Sequence, residues 1–321
     1  MTKEGVDSIL EDMDQGLKWA QNNPGKIESA VKKAKRGHRK KHPKDPYVPL
    51  RCVRTEIRMI TFDDPENNMA PFNFAQSASA VYRKVHGLNL TEKYGFKFPA
   101  DDLLDIKPRM DIATLYIDMG AGIGIFDDFA HKCLQMPRFT RYLKRNKENI
   151  HLGSMDYNAE RGPVDGVIVD GKPFIVKSTQ SPDEIPIALR LSGRLGPIVY
   201  DYSDPEKAQV FVEEPLTGTR MDQIEERREV GRRIGTYLAR LHNEGIAYSI
   251  NTVHSLGDHI GKHLITRPSI EDTKMFDFGG AKITDNFHPD IQSAQKYLCK
   301  RFGKDSKAHK AFERTYEQFR N

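Results

Sequence analysis

The sequence predicts an α+β protein in which a mostly helical N-terminal region precedes a domain that begins with strands and ends with helices. Three observations support this prediction. Apolar residues recur at helical spacing near the N-terminus, β-rich runs around a tight turn begin after residue 152, and amphipathic helical patterns close the chain. We expect an N-terminal helix and basic linker over 1–49, an α/β or helical region of undefined architecture over 50–150, and the strand-then-helix domain over 151–321.

Periodicity predicts the elements of the N-terminal region. Residues 5–36 have the pattern of a helix that is open to interruption at Pro24-Gly25, and a linker is expected over 37–49. The run LRCVRTEIRMITF, residues 50–62, alternates well enough to predict a strand.

The C-terminal domain is predicted in more detail. Val167 to Val169 and Phe174 to Val176 are expected to be strands joined by a turn at Asp170-Gly171. The next elements, in chain order, are a helix over about 183–195, strands within 197–202 and 208–214, a helix over 225–243, strands within 263–266 and 274–280, and helices near 290–302 and 306–319.

Composition and cysteine content indicate a soluble protein of a reducing compartment. The chain has 321 residues, 38% apolar and 30% charged, which suffices for a buried core in two modest domains. No run approaches the roughly 20 apolar residues that span a bilayer, and the acidic start does not resemble a secretion signal. Cys52, Cys133 and Cys299 have no spacing suited to zinc or to a disulfide framework. We therefore expect a cytoplasmic protein with no membrane partner.

A basic block lies between residues 26 and 44. It carries nine Lys or Arg against the single acid Glu28, whereas the whole chain has a net charge of +5. Such a block can bind RNA, DNA or an acidic protein, with an affinity that falls as salt rises. The alternative is a solvated helix end that runs into a proline-containing linker. Because no aromatic residues are interleaved to stack on bases, the sequence favours this alternative.

The C-terminal domain carries, in order, the residue types that phosphoryl transfer needs. That reaction uses a cation on the α- and β-phosphates, a carboxylate that fixes this cation, metal ligands, and a base beside the attacking hydroxyl. Lys177 ends the second predicted strand, and Glu184 opens the next helix. Asp258 and His263 are five positions apart, and Asp277 lies nineteen beyond Asp258. We expect a short hairpin to return the chain to the same metal.

These residues resemble the pattern of the small atypical kinases: the RIO kinases, the kinase associated with the KEOPS complex, and lipopolysaccharide core kinases. RGPVDGVIVDGKPFIVK is similar to their shortened nucleotide loop, VFVEEPLTG resembles their hinge, and KMFDFGGAKI contains their Asp-Phe-Gly metal-binding triplet. The resemblance covers about half of the chain. It implies a two-lobed protein-kinase-like fold over 151–321, with an N-lobe over 151–214 and a C-lobe over 215–321.

The resemblance also implies an ATP- and Mg²⁺-dependent phosphotransferase, serine/threonine-kinase-like, with a protein or small-molecule hydroxyl as acceptor. Asp258 would orient or deprotonate that hydroxyl, and Lys177, fixed by Glu184, would hold the phosphates. His263 and Asp277 would bind the metal. The residues expected to bind the nucleotide are Gly162, Gly166, Val167, Lys177, Glu214 and Leu216.

The sequence departs from the family at the catalytic position. A direct alignment puts Tyr248-Ser249-Ile250 where the family carries His-x-Asp, and Asp258 takes that role only if residues are inserted before it. His263 replaces the usual asparagine, and imidazole suits Mg²⁺ less well than an oxygen ligand does. A pseudokinase that binds nucleotide or a partner without catalysis is therefore the alternative interpretation. A nucleic-acid-associated protein that uses the basic arm 26–44 is a further one.

A second glycine-rich pattern, TLYIDMGAGIGIF, occupies residues 114–126. An apolar run ending in Asp118 and followed by Gly120, Gly122 and Gly124 resembles the nucleotide turn of S-adenosylmethionine-dependent methyltransferases. That fold needs several further βα units, and too little chain remains before the strands near Val164. We therefore interpret the run as a junction between a strand and a helix.

Overall fold

The structure, a computed structural model, confirms the α+β class and divides the chain into two units. The first unit comprises residues 1–178 and 203–210, and the second comprises residues 179–202 and 211–321. None of the helices in the described ranges is long and apolar enough to cross a membrane. The described residues are 15, 18–62, 99–103, 105–106, 108–110, 124–156, 164–179, 181–204, 209–248 and 256–320.

The first unit contains a helical pair, α1 (Pro24–Lys41) and α2 (Leu50–Phe62). The helix α1 starts at a proline, which suits a first turn because the N–H that proline lacks has no intrahelical partner there. It ends at Lys41 and so includes residues 37–41, which were predicted to belong to the linker. The core that the two helices share comprises Ala20, Ile27, Ala30, Val31, Ala34, Val48, Leu50, Val53 and Ile57.

The strand predicted over residues 50–62 is wrong, because this run forms α2. Leu50, Val53 and Ile57 recur at intervals of three and four, which is the helical period. All three are buried against α1. A strand would turn Leu50 to the opposite face from the other two, so only the helix buries the whole apolar stripe.

Two further helices and a sheet complete the first unit. A 3₁₀ helix (Pro99–Leu103) lies beside α3. β1 is parallel to β2, whereas β2, β3 and β4 are antiparallel neighbours. These elements are β1 (Arg109–Met110), α3 (Gly124–Leu134), α4 (Pro137–Arg145), β2 (Ile150–Asp156), β3 (Val164–Val169) and β4 (Lys172–Ser178).

The turn predicted between the two strands at Asp170-Gly171 is confirmed. Asp170 has φ 50° and Gly171 has φ 74°. Positive φ at both central residues is what a two-residue type I′ hairpin requires, and aspartate followed by glycine adopts it readily. The hairpin fixes the register in which Val169 pairs with Lys172.

The second unit is built around the long helix α6 and two C-terminal helices. Its strands form the antiparallel pairs β5–β6 and β8–β11 and a three-stranded sheet with β9 between β7 and β10. A 3₁₀ helix (Met221–Gln223) precedes α6. The elements are α5 (Glu184–Leu191), β5 (Val199–Tyr202), β6 (Val210–Glu213), β7 (Thr219–Arg220), α6 (Arg227–Asn243), β8 (Ile246–Ala247), α7 (Leu256–His263), β9 (Leu264–Thr266), β10 (Lys274–Met275), β11 (Lys282–Ile283), α8 (His288–Phe302) and α9 (Lys307–Phe319).

Helices α6 and α9 approach each other closely because α6 carries glycine on the contact face. A Cβ added at Gly231 would clash with the carbonyl oxygen of Ala308 and lie 2.8 Å from its carbonyl carbon. A Cβ at Gly235 would lie 2.7 Å from the carbonyl oxygen of Phe312. Because the obstructing atoms belong to the backbone, no rotamer change can relieve the clash. The packing of the second unit therefore depends on these glycines.

Candidate functional site

The β9–β10 hairpin brings His263 and Asp277 together. β9 begins directly after His263, and Leu264 pairs with Met275 of β10. The Phe276 N–H donates to the His263 carbonyl and extends the pairing by one residue. His263 Nδ1 and Asp277 Oδ2 are 3.8 Å apart, and the two side chains are 22% and 30% exposed. The two predicted metal ligands thus form an accessible pair.

The separation of these two atoms suits a shared cation. An ion bound about 2.1 Å from each ligand can bridge atoms up to about 4.2 Å apart, and the 3.8 Å between His263 Nδ1 and Asp277 Oδ2 lies within that limit. A carboxylate suits Mg²⁺, whereas an imidazole suits transition metals better. The pair therefore fits a divalent cation, and its nitrogen makes it a weaker Mg²⁺ site than two oxygens would make.

Asp277 is held in a left-handed backbone conformation, with φ 64°. Such a conformation is uncommon for residues other than glycine, although aspartate adopts it more readily than most. Here the Tyr248 hydroxyl donates to the Asp277 carbonyl at 2.5 Å, and Phe278 is buried in the core beside the Tyr248 ring. The Ala281 N–H donates to the Phe278 carbonyl and closes the turn. These contacts hold the backbone that carries the Asp277 carboxylate.

Tyr248 is positioned by a buried acid that the sequence analysis missed. Its N–H donates to Asp290 Oδ2 at 2.7 Å, and His242 Nε2 lies 3.1 Å from the same oxygen. His242 Nδ1 lies 2.7 Å from the Tyr316 hydroxyl, and both Asp290 and His242 are buried. The network joins α6, α8 and α9 to residue 248. Its only sequence signal is a histidine four positions after Leu238 on the apolar face of a helix.

The loop between β9 and β10 is fixed by Arg233. Its buried guanidinium donates to the carbonyls of Arg267, Pro268 and Ser269 at 2.9, 3.1 and 3.0 Å. Glu229, one helical turn earlier, lies 2.6 Å from the same guanidinium. The planar fork of arginine has enough donors to satisfy several carbonyls at once. The hairpin that carries His263 and Asp277 is therefore anchored to α6.

Asp258 lies in the first turn of α7, whereas its spacing to His263 was matched to a loop. Each residue of an α-helix turns by about 100°, so positions 258 and 263 lie on faces about 140° apart. The side chain of Asp258 is outside the described residues, as are positions 249 and 250 of the direct alignment. The catalytic role of Asp258 stays a prediction.

In the first unit, Lys177 and Gly166 lie on one face of the sheet. Gly166 pairs with Ile175, and Lys177 is two residues beyond Ile175 on β4, so all three share that face. Gly166 adds no side chain to that face. Val167 is on the opposite face, where it is buried, and does not lie beside Lys177. Gly162 is outside the described residues.

Glu184, Glu214 and Leu216 belong to the second unit. Glu184 is the first residue of α5 and is buried. The Glu214 N–H donates to the Ile198 carbonyl at 2.9 Å, and Glu214 Oε1 accepts from the Ile198 N–H at 3.1 Å and lies 3.4 Å from Lys274 Nζ. Because the Glu214 N–H already donates to the Ile198 carbonyl, an adenine contact at Glu214 would use the carbonyl of Glu214. The pairing of Glu184 with Lys177 stays a prediction.

The methyltransferase-like pattern falls largely outside the described residues. Residues 114–123 are not described, and residues 124–126 open α3. The helix that was expected to follow the glycines is therefore present. The presence of this helix does not test whether the glycine run binds a cofactor.

Comparison with known proteins assigns the chain to no family. No protein-family model matches it, and no curated protein matches it significantly. The function must therefore be inferred from the site itself.

Proposed function

We propose that the protein is an ATP- and divalent-cation-dependent phosphotransferase of the atypical kinase type. The observation that carries this proposal is the pair of His263 Nδ1 and Asp277 Oδ2, 3.8 Å apart at the end of a hairpin. The pair follows the predicted order of Lys177, Glu184 and Asp258 along the chain. The backbone at Asp277 is fixed by the Tyr248 hydroxyl, which supports a role for this carboxylate that depends on its position.

In the proposed reaction, the acceptor hydroxyl attacks the γ-phosphorus while the bond to the bridging oxygen breaks and ADP leaves. The hydroxyl proton passes to a carboxylate, for which Asp258 is the candidate, or to water. Asp277 and His263 would hold the cation that neutralises charge on the phosphates. Such catalysis consists mainly of positioning and charge stabilisation.

The first test measures nucleotide binding and transfer separately. We expect ATP with Mg²⁺, and more strongly ATP with Mn²⁺, to raise the melting temperature, because a ligand selective for the native state stabilises it. The preference for Mn²⁺ follows from the imidazole ligand. Incubation with γ-labelled ATP is expected to label the chain itself or an added hydroxyl acceptor.

The outcomes of this test distinguish the two nucleotide hypotheses. Stabilisation without any label would favour the pseudokinase, which binds nucleotide without turnover. A melting temperature that is unchanged by ATP with either cation, together with no label, would contradict both.

The basic arm supports a second candidate function, the binding of a nucleic acid backbone. Residues 24–41 form an ordered helix, α1, whose buried face packs on α2. Burial, and after it the neighbouring Arg39, lower the pKa of Lys35. Ion pairs of Lys33 with Glu56 at 2.6 Å and of Lys32 with Glu28 at 3.9 Å neutralise part of this charge. The exposed basic residues of the arm are Lys26, Lys32, Lys33, Arg36, Arg39, Lys40, Lys41 and Lys44.

We expect the variant Arg36→Gln/Arg39→Gln/Lys40→Gln to bind RNA or DNA more weakly than the wild type. The slope of log affinity against log salt is negative, and each lost phosphate contact reduces its magnitude by about 0.9 for duplex DNA. The magnitude of the slope should therefore be smaller by about 2 to 3 in this variant. Filter binding over a salt series measures it.

The matched control for this prediction removes three exposed cations from α4, in Arg138→Gln/Arg141→Gln/Arg145→Gln. It is expected to bind as the wild type does. An affinity that does not depend on salt, or equal losses in both triple variants, would contradict a phosphate-binding role for α1.

A further inference from the structure

Two histidines and an aspartate from three separate segments meet inside the first unit. His38 lies in the last turn of α1, Asp45 in the segment before α2, and His131 in α3. Their exposures are 7%, 3% and 2%. His38 Nε2 lies 3.0 Å from Asp45 Oδ2, and His131 Nε2 lies 2.7 Å from the same oxygen. One ligand atom from each residue lies within 4.8 Å of the other two.

We propose that His38, Asp45 and His131 bind a divalent transition metal, with Zn²⁺ as the best match. Zinc takes imidazole and carboxylate ligands at about 2.0 to 2.2 Å, which places ligand atoms about 3.3 Å apart around a tetrahedral ion. The two measured nitrogen to oxygen separations are slightly shorter, so a small opening of the cluster admits the ion. A water molecule would complete four ligands.

The surroundings orient the carboxylate as a metal ligand requires. Asp45 Oδ1 accepts from the Tyr47 N–H at 3.0 Å and lies 3.4 Å from Gln135 Nε2, which leaves Oδ2 directed at the two histidines. His38 Nδ1 lies 3.8 Å from Cys52 Sγ, so the ring is held from the side away from the cluster. Outer contacts of this kind fix the ligands of protein metal sites.

The chemistry of the three side chains also suits a cation. Two imidazoles and one carboxylate are ligand types that Zn²⁺ takes in proteins, and all three residues are buried. The ion would take the place of the hydrogen bonds that now link the two imidazoles to Asp45 Oδ2.

The site would act as a structural staple. The hydrogen bond between His131 and Asp45 spans 86 positions of the chain. An ion there would link α1, the segment before α2, and α3, and it would contribute its binding free energy to the folding of this unit. The position is distinct from the pair His263 and Asp277, which belongs to the second unit.

The test uses the full chain, stripped with a chelator and titrated with Zn²⁺ at mildly alkaline pH in a calorimeter. We expect one tightly bound equivalent and a raised melting temperature. Asp45→Asn and His131→Gln should each weaken binding by about 100-fold or more, because each removes a ligand. Co²⁺ in place of Zn²⁺ should give the visible spectrum of a tetrahedral nitrogen and oxygen site.

A control variant locates the ion. His151→Gln removes an exposed histidine of β2 in the same unit, outside the cluster. It should keep wild-type affinity. Circular dichroism verifies that Asp45→Asn is folded before its affinity is compared.

Three results would overturn the proposal. They are a wild type that neither binds a stoichiometric Zn²⁺ nor melts at a higher temperature with it, an Asp45→Asn variant that is folded and binds as tightly as the wild type, and a loss of binding in His151→Gln as large as that in Asp45→Asn. Failure here would leave the nucleotide proposal untouched.

Discussion

Replacing Asp277 by asparagine is expected to reduce cation-dependent phosphoryl transfer from ATP by about 100-fold or more. Asparagine keeps the shape of the side chain but removes the negative charge that holds the cation, and electrostatic contributions to catalysis have this size. The left-handed turn is retained, because asparagine tolerates positive φ as well as aspartate does. Label transfer from γ-labelled ATP is the measurement, with the melting temperature as a check on folding.

A matched control for Asp277→Asn is Asp285→Asn. Asp285 is an exposed aspartate in the same unit, after β11, and lies outside the proposed site. It should transfer label at the wild-type rate. If Asp277→Asn also kept that rate, the metal pair would have no role in the reaction. If the wild type is stabilised by ATP with cation but transfers nothing, the loss of that stabilisation in Asp277→Asn identifies the same pair in a pseudokinase.

Replacing Gly231 by alanine is expected to destabilise the second unit by about 2 to 3 kcal/mol. The added methyl group would overlap the Ala308 carbonyl, and neither α6 nor α9 can move without opening the core between them. A change of this size lowers the melting temperature by about 4 to 12 °C in a unit of this length. Thermal unfolding followed by circular dichroism measures it.

The control for Gly231→Ala is Gly37→Ala in α1, where an added Cβ meets no atom within 4 Å. Alanine is more favourable than glycine in a helix interior by about 1 kcal/mol, so this change should stabilise the first unit slightly. We therefore expect the melting temperature to fall with Gly231→Ala and to rise with Gly37→Ala. A Gly231→Ala protein that melts with the wild type would show that α6 and α9 do not pack as closely as described.

The elements that local chemistry specifies were predicted well. The Asp170-Gly171 turn requires positive φ at both positions, a property of those two residues. The helix predicted over 225–243 is α6 (Arg227–Asn243), and the two closing helices are α8 and α9. The strand predicted over residues 50–62 was wrong. Alternation of apolar and polar residues was taken as the signal there, whereas apolar residues at intervals of three and four determine the helix.

The candidate site was predicted in part. Asp277 and His263 could be named because the Asp-Phe-Gly triplet and the spacing of positions 258, 263 and 277 resemble the kinase pattern. Tyr248 and Asp290 could not be named, because a tyrosine after a short strand and an aspartate in a helical turn carry no local sign of their hydrogen bond. Their roles depend on how α6 and α8 pack.

The sequence by itself determined the tight turn at Asp170-Gly171 and the helices α6, α8 and α9, since these follow from interactions between near neighbours. Only the tertiary structure decided that His131 reaches Asp45 and that Gly231 must meet the backbone at Ala308. The physical reason is that such contacts are fixed when distant helices bury their apolar faces together. That packing brings polar groups into register without leaving any periodic signal along the chain.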